Sequence, residues 1–176
     1  MLCRLFAMTL RTRQVLAGSE KGKSLDHAVL FVCLGNICRS PLAEGIFRAL
    51  VEQSGLTGRY TIDSAGTGAW HAGNPPDPRS IDIAARNGID ISMQRARQVR
   101  KQDFQTFRTI VAMDRDNLAT LRTRAGGEQA RLRLLLETPD RDVPDPYYGG
   151  ADGFELVFRL VRSGCADLLT SLEGKT

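Results

Sequence analysis

The sequence predicts an α/β fold in which four parallel strands form a central sheet covered by helices on both faces, a three-layer arrangement. Three observations carry this prediction. Residues 28–32, Ala-Val-Leu-Phe-Val, form an unbroken apolar run of the kind a strand needs when both of its faces are buried. Strand-like runs then alternate with helical patterns to the end of the chain, as parallel crossover units require. The connection after the first strand is a short loop containing Gly35 and Asn36, at the carboxyl end where such sheets bind ligands.

The elements follow in order. Residues 1–27 lack sustained periodicity and read as a flexible basic extension, with the folded domain spanning 28–176. The first helix is expected from Ser40, with Ser40 as N-cap and Pro41 at the first helical position, where its missing N–H costs nothing. Leu42, Ile46 and Leu50 recur every four residues, flanked by Ala43, Phe47 and Val51. Tyr60-Thr61-Ile62-Asp63 reads as strand two. A Gly/Pro-rich loop occupies 65–78, and a helix runs from there to about Asn87, with Gly88 as its stop. Residues 109–113 read as strand three, with Asp114 capping the next helix, and 131–136 as strand four. After a Pro/Asp/Gly loop over 137–150, the last helix presents Phe154, Val157, Phe158, Val161, Cys165, Leu168 and Leu169 on one face.

Composition narrows the function. A chain of 176 residues with 42% hydrophobic content suits one domain with a full core. No run approaches the ~18 apolar residues of a membrane span. The longest apolar run of the opening segment, Leu5 to Met8, is shorter than the roughly 7–15 residues of a secretory core. A cytoplasmic protein without membrane association is therefore expected. The net charge of +4 does not mark a nucleic-acid binder. Residues 1–27 carry five basic residues (Arg4, Arg11, Arg13, Lys21, Lys23) against Glu20 and Asp26, so the remainder is nearly neutral. Of the four cysteines, Cys3, Cys33, Cys38 and Cys165, none forms a CxxC pair, and His27 and His71 do not cluster with them. Zinc ligation is not expected, and free thiols in a reducing compartment point toward nucleophile chemistry.

The loop reads Cys33-Leu34-Gly35-Asn36-Ile37-Cys38-Arg39-Ser40, followed by Pro41. Cys and Arg separated by five residues is a weak pattern alone; its position between a buried strand and a helix start gives it meaning. Gly35 and Asn36 tolerate left-handed backbone angles, so the loop can curl and point successive amides inward as an anion nest. The helix N-terminus adds partial positive charge, and Arg39 offers a planar fork for two phosphate oxygens. Thiols in such surroundings fall to a pKa of about 3.5–7.5, so Cys33 is expected to be an anionic nucleophile beneath a bound phosphate. Ser40 is close enough to donate a hydrogen bond to the sulfur. A leaving alkoxide or phenoxide also needs a proton. The candidate donor is Asp145 in Asp145-Pro146-Tyr147-Tyr148-Gly149-Gly150, in the loop after strand four; Asp140 and Asp142 qualify by residue type but lack the flanking aromatics.

Taken together, the segments Val29–Glu44, Asp63-Ser64-Ala65-Gly66-Thr67-Gly68 and Asp145–Tyr148 resemble the motifs of low-molecular-weight protein-tyrosine phosphatases, in the right order from about Ala28 to the C-terminus. The resemblance implies strand order 2-1-3-4, a phosphocysteine intermediate on Cys33, Arg39 at the phosphate, Asp145 as acid and then base, and no metal or cofactor. It implies that Asn36 and Ser64 brace the loop. Trp70 would form one wall of a cleft and Tyr147 and Tyr148 the other, above a cradle formed by residues 34–38, a shape that suits phosphotyrosine. Ile37 agrees, since relatives resembling protein-arginine phosphatases carry threonine there. The expected partners are tyrosine-phosphorylated proteins, with a tyrosine kinase acting on Tyr147 and Tyr148 as a further one. One position departs: where the family commonly has histidine beneath the loop, this chain has Gln94, which can donate and accept but not titrate. Cys38 shares a short loop with Cys33 and is a candidate to capture it as a reversible disulfide after oxidation. Arsenate reductases share the fold and loop but need further cysteines, and none lies between Cys38 and Cys165. A phosphate-binding scaffold would not need Asp145.

Overall fold

A computed structural model describes residues 27–127, 130–137 and 140–174; the flexible extension expected over residues 1–27 therefore lies, but for His27, outside the described residues. The elements are β1 (His27–Cys33), α1 (Arg39–Gln53), β2 (Tyr60–Gly66), α2 (Pro78–Arg86), α3 (Asp103–Thr106), β3 (Thr109–Ala112), α4 (Arg115–Ala125), β4 (Arg131–Leu134), β5 (Leu136–Glu137), β6 (Asp140–Arg141) and α5 (Ala151–Glu173). The first four strands form one parallel sheet in the order β2-β1-β3-β4, and β5 and β6 form a small antiparallel hairpin.

The apolar run of β1 is explained by its central place. It pairs with β2 on one side and β3 on the other. Val29, Phe31 and Cys33 face a core shared with α1, α2 and α5, whereas Leu30 and Val32 face a second core beneath α3 and α4. The face anticipated for the last helix, from Phe154 to Leu169, is buried against the first of these cores. Among the described residues no helix is long and apolar enough to cross a membrane.

Several boundaries differ from expectation. His27 opens β1, paired with Tyr60. Strand two extends to Gly66 because Ala65 and Gly66 continue pairing with Val32 and Cys33. Strand four stops at Leu134, and Leu136 joins the hairpin instead. The first helix begins at Arg39 with Cys38 as N-cap and no side-chain capping bond. Ser40 is thus inside the first turn, and its hydroxyl is used elsewhere. Asp114 does cap α4, accepting from the Asn117 amide at 2.7 Å.

This order places the chain reversal beside β1. The connection after β1 runs to β2 on one side, and the chain then crosses to β3 on the other, leaving a crevice at the carboxyl ends of both. Cys33 ends β1, Asp114 follows β3, and Val143 is tied to Met113 by its amide at 2.8 Å. Residues 110 positions apart in sequence therefore meet at one end of the sheet.

Candidate active site

Residues 34–38 curl around the end of β1. Asn36 has φ 56°, the one non-glycine in the left-handed region among the described residues. Its side chain holds it there. Nδ2 donates to Ser40 Oγ at 2.9 Å and Ser64 Oγ at 3.0 Å, and Oδ1 accepts from the Arg97 amide at 2.9 Å. Gly35 was expected to share the left-handed geometry but does not. Space around it is tight: a Cβ there would sit 3.0 Å from the ring of His71, which would have to shift by a few tenths of an ångström. Gly66 is constrained similarly, because a Cβ would come within 2.8 Å of the Leu34 carbonyl. The amides of Thr67 and Gly68 also donate to the Cys33 and Leu34 carbonyls, so the end of β2 backs the loop.

The Cys33 sulfur is buried at the base of this loop. The Asn36 amide donates to it at 3.3 Å, and Ser40 Oγ lies at 3.0 Å. Ser40 also stands 3.3 Å from the Ala65 carbonyl, so its single proton has two acceptors and turns to the sulfur when that carries charge. Arg39 is buried. Its Nη1 donates to Asp114 Oδ2 at 2.6 Å and the Val143 carbonyl at 3.1 Å, and its Nη2 to Asp145 Oδ2 at 2.7 Å. Burial disfavours the charged guanidinium, but the negative field of Cys33, Asp145 and Asp114 outweighs it and raises the pKa above its ordinary value.

Beneath the loop, Ser64 Oγ donates to Glu44 Oε2 at 2.7 Å, and Arg48 Nε donates to Glu44 Oε1 at 3.0 Å. Gln94 Nε2 donates to the Pro41 carbonyl at 3.3 Å, while its Oε1 is buried without a hydrogen-bond partner. Gln94 therefore props the first turn of α1, and the direct link from its segment to the loop is the Arg97 amide. Burial raises the Glu44 pKa above 4.5 despite the opposing pull of Ser64 and Arg48. The folded state then holds a proton that the unfolded state has released, so stability falls as pH rises from about 4.5 through the folded value. Glu44→Gln removes this dependence. In urea melts, wild type is expected to lose stability relative to the variant as pH rises from about 4.5 toward neutrality. An unchanged difference across that range would show that Arg48 fully offsets the burial.

The cleft above the loop has a volume of about 320 Å³ and is lined by Cys33, Leu34, Gly35, Ile37, Cys38 and Arg39 below and by Trp70, His71, Asp145, Tyr147 and Tyr148 around it. Trp70 is 73% exposed and Tyr148 94% exposed, so each wall of the cleft presents an aromatic ring to solvent. The Trp70 ring lies over Gly68, where a Cβ would come within 1.7 Å of it. Asp140 and Asp142, the alternative acids, instead pair with Arg115. No group of three or more His, Cys, Asp or Glu side chains able to hold a metal occurs among the described residues.

The family model for the low molecular weight phosphotyrosine protein phosphatase matches residues 28–176. The chain belongs to this family. It is 49% identical over 151 residues to the low molecular weight protein-tyrosine-phosphatase YfkJ of Bacillus subtilis, covering 83% of this chain and 96% of that one. It is 51% identical over 132 residues to the low molecular weight phosphotyrosine protein phosphatase of Schizosaccharomyces pombe, covering 72% and 84% of the two chains. The crystal structure of Bacillus subtilis YfkJ superimposes with a TM-score of 0.79 at 46% identity, over 85% of this chain and 96% of that one. The protein is thus a cysteine-dependent protein-tyrosine phosphatase with the sheet order the resemblance implied.

Within this phosphatase, three residues at the site were not anticipated for it. His71 lines the cleft, Asp114 holds Arg39, and the Val143 carbonyl receives the same guanidinium. Asp114 carried a usable signal, since it directly follows strand three at the ligand-binding end of the sheet. His71 carried none beyond its neighbour Trp70. Cys33, Cys38 and Cys165 are free and buried. Burial, with the nearby charges of Asp77, Cys33 and Asp145, pushes the Cys38 thiol up to about 12. With Cys33 reduced, Cys38 is therefore a neutral thiol at about pH 7.

Proposed function

We propose that Cys33 attacks the phosphorus of a phosphotyrosine side chain while Arg39 and the amides of residues 34–38 hold the phosphoryl oxygens. The sulfur–phosphorus bond forms as the bond to the phenolic oxygen breaks, and Asp145 gives its proton to that oxygen. The tyrosine product leaves. Asp145, now a carboxylate, takes a proton from water as that water attacks the phosphocysteine, releasing inorganic phosphate and the thiolate. Ser40 donates to the sulfur when it departs. Asn36 and Ser64 hold the loop in its curled form, with Gln94 beneath the helix start. Trp70, Tyr147 and Tyr148 take the flat phenyl ring between them.

The observation that carries this reading is the Arg39–Asp145 contact of 2.7 Å at the mouth of the cleft above Cys33. It brings an anion-binding fork and a carboxyl group suited to acid–base work within one hydrogen bond of each other, next to a buried sulfur. A binding scaffold has no use for the second of these. The natural substrates on this reading are tyrosine-phosphorylated proteins of a reducing, cytoplasmic compartment, where Cys33 stays a free thiol.

The test is hydrolysis of matched phosphotyrosine and phosphoserine peptides, with Trp70→Ala as a probe of the wall. Aromatic stacking contributes about 0.5–1.5 kcal/mol, so Trp70→Ala is expected to raise KM for the phosphotyrosine peptide about 2–10-fold, with kcat much less affected. Equal rates on the two peptides would remove the assignment of phosphotyrosine as the preferred substrate.

A further inference from the structure

The loop that carries Asp145 has to keep its position when substrate arrives, and its most direct tie to the floor of the site is the guanidinium that the phosphoryl group is proposed to engage. In the unliganded molecule Arg39 Nη2 is bonded to Asp145 Oδ2. On the proposed reading, the same fork turns to the phosphoryl oxygens. A second arginine then remains attached to the acid loop. Arg79 Nη2 donates to the Tyr147 carbonyl at 3.3 Å, and the Tyr147 amide donates to Asp145 Oδ1 at 3.1 Å. The guanidinium lies 4.5 Å from the ring centroid of Phe154 and 5.7 Å from that of Tyr147.

Arg79 is itself anchored to the phosphate loop. Its Nε and Nη2 donate to the two carboxylate oxygens of Asp77 at 3.0 and 2.9 Å. The Asp77 amide donates to the Ile37 carbonyl at 2.8 Å, inside the phosphate loop. The bond from Arg79 holds the Asp77 carboxyl below its ordinary range, so this anchor stays ionised at neutral pH. A continuous path therefore runs from Ile37 through Asp77 and Arg79 to Tyr147 and Asp145, without passing through Arg39. We infer that Arg79 is the positioning residue that keeps the general acid in register with the phosphate loop once Arg39 has been taken up by substrate. The inference rests on Asp145 being the proton donor. Lysine cannot replace Arg79 here, because one ammonium cannot match both carboxylate oxygens, reach a carbonyl and stack on a ring together.

A loosened acid costs rate only when the leaving group needs its proton. The experiment compares kcat/KM for phenyl phosphate, a poor leaving group, with para-nitrophenyl phosphate, a good one. It uses Arg79→Lys and Arg79→Met in the wild-type and Asp145→Asn backgrounds. Both Arg79 variants are expected to lose about tenfold on phenyl phosphate and about twofold or less on para-nitrophenyl phosphate, a part of the 10²–10⁴-fold that a positioned acid supplies. In the Asp145→Asn background the Arg79 effect is expected to vanish. Arg79→Lys keeps a cation beside Asp77, and a thermal melt like that of wild type establishes that its loss is not misfolding. Equal losses on both substrates, or the same loss persisting with Asp145→Asn, would overturn the inference. Asp145→Asn alone turning over phenyl phosphate at the wild-type rate would instead remove the general-acid reading itself.

Discussion

Cys33→Ser is expected to reduce turnover of every phosphate ester by at least about 10⁴-fold while leaving binding largely intact. The hydroxyl keeps its proton at neutral pH, and the side chain bonded to this position, Ser40 at 3.0 Å, is itself a hydroxyl and not a base. Phosphate recognition, in contrast, is proposed to come from loop amides and Arg39, neither of which the substitution touches. Trp70 supplies the readout. It is the single tryptophan of the chain and lines the cleft, so its fluorescence reports occupancy without turnover. Phosphotyrosine peptide is expected to bind Cys33→Ser with an affinity within a few-fold of the wild-type KM. Activity within tenfold of wild type would be incompatible with the proposed chemistry, whatever the binding result.

Asp145→Ala should separate catalysis from binding in a different way. Loss of the proton donor is expected to slow phenyl phosphate by about 10²–10⁴-fold and para-nitrophenyl phosphate far less, because nitrophenolate leaves without help. Binding should move in the opposite direction. In the free protein Arg39 Nη2 is engaged with Asp145, and phosphate has to displace that carboxylate. The pair is partly solvated, with the Asp145 side chain 39% exposed, so the competition is worth only the ~0.2–1 kcal/mol of an accessible ion pair. Inorganic phosphate is therefore expected to inhibit Asp145→Ala up to about fivefold more tightly than wild type. Weaker inhibition would mean that Asp145 helps to organise Arg39 for phosphate.

These two variants concern residues that were visible in the sequence for different reasons. Cys33 and Arg39 lie within one loop, where a buried strand, a curl and a helix start are contiguous, so local rules suffice to place sulfur and guanidinium near one anion. Asn36 was legible too, as a residue type that accepts a left-handed backbone. Gly35 was misread in its reason, because it does not adopt the left-handed backbone, and the ring that crowds a side chain there belongs to His71, 36 positions later. Ser40 was expected both to cap the helix and to reach the Cys33 sulfur, and only the second holds. Its hydroxyl serves Cys33, Asn36 and Ala65 instead, and three of those contacts exist only after β2 lies beside β1 or the loop has curled.

The sequence alone determined the alternation of strands and helices, the burial of the first strand on both faces and the class of chemistry at its end, because each element follows from residues within a dozen positions of one another. Periodicity, turn propensity and the charge of a helix terminus act at that range. Only the tertiary structure decided what surrounds Arg39 and how the acid loop is held. Asp114, Val143 and Asp145 reach Arg39 from 75 to 106 positions away, and Arg79 reaches Tyr147 across 68. Such contacts come from the strand order and the packing of α2 and α5. A hydrogen bond depends on where two atoms come to rest, and no local propensity in either segment encodes that distance.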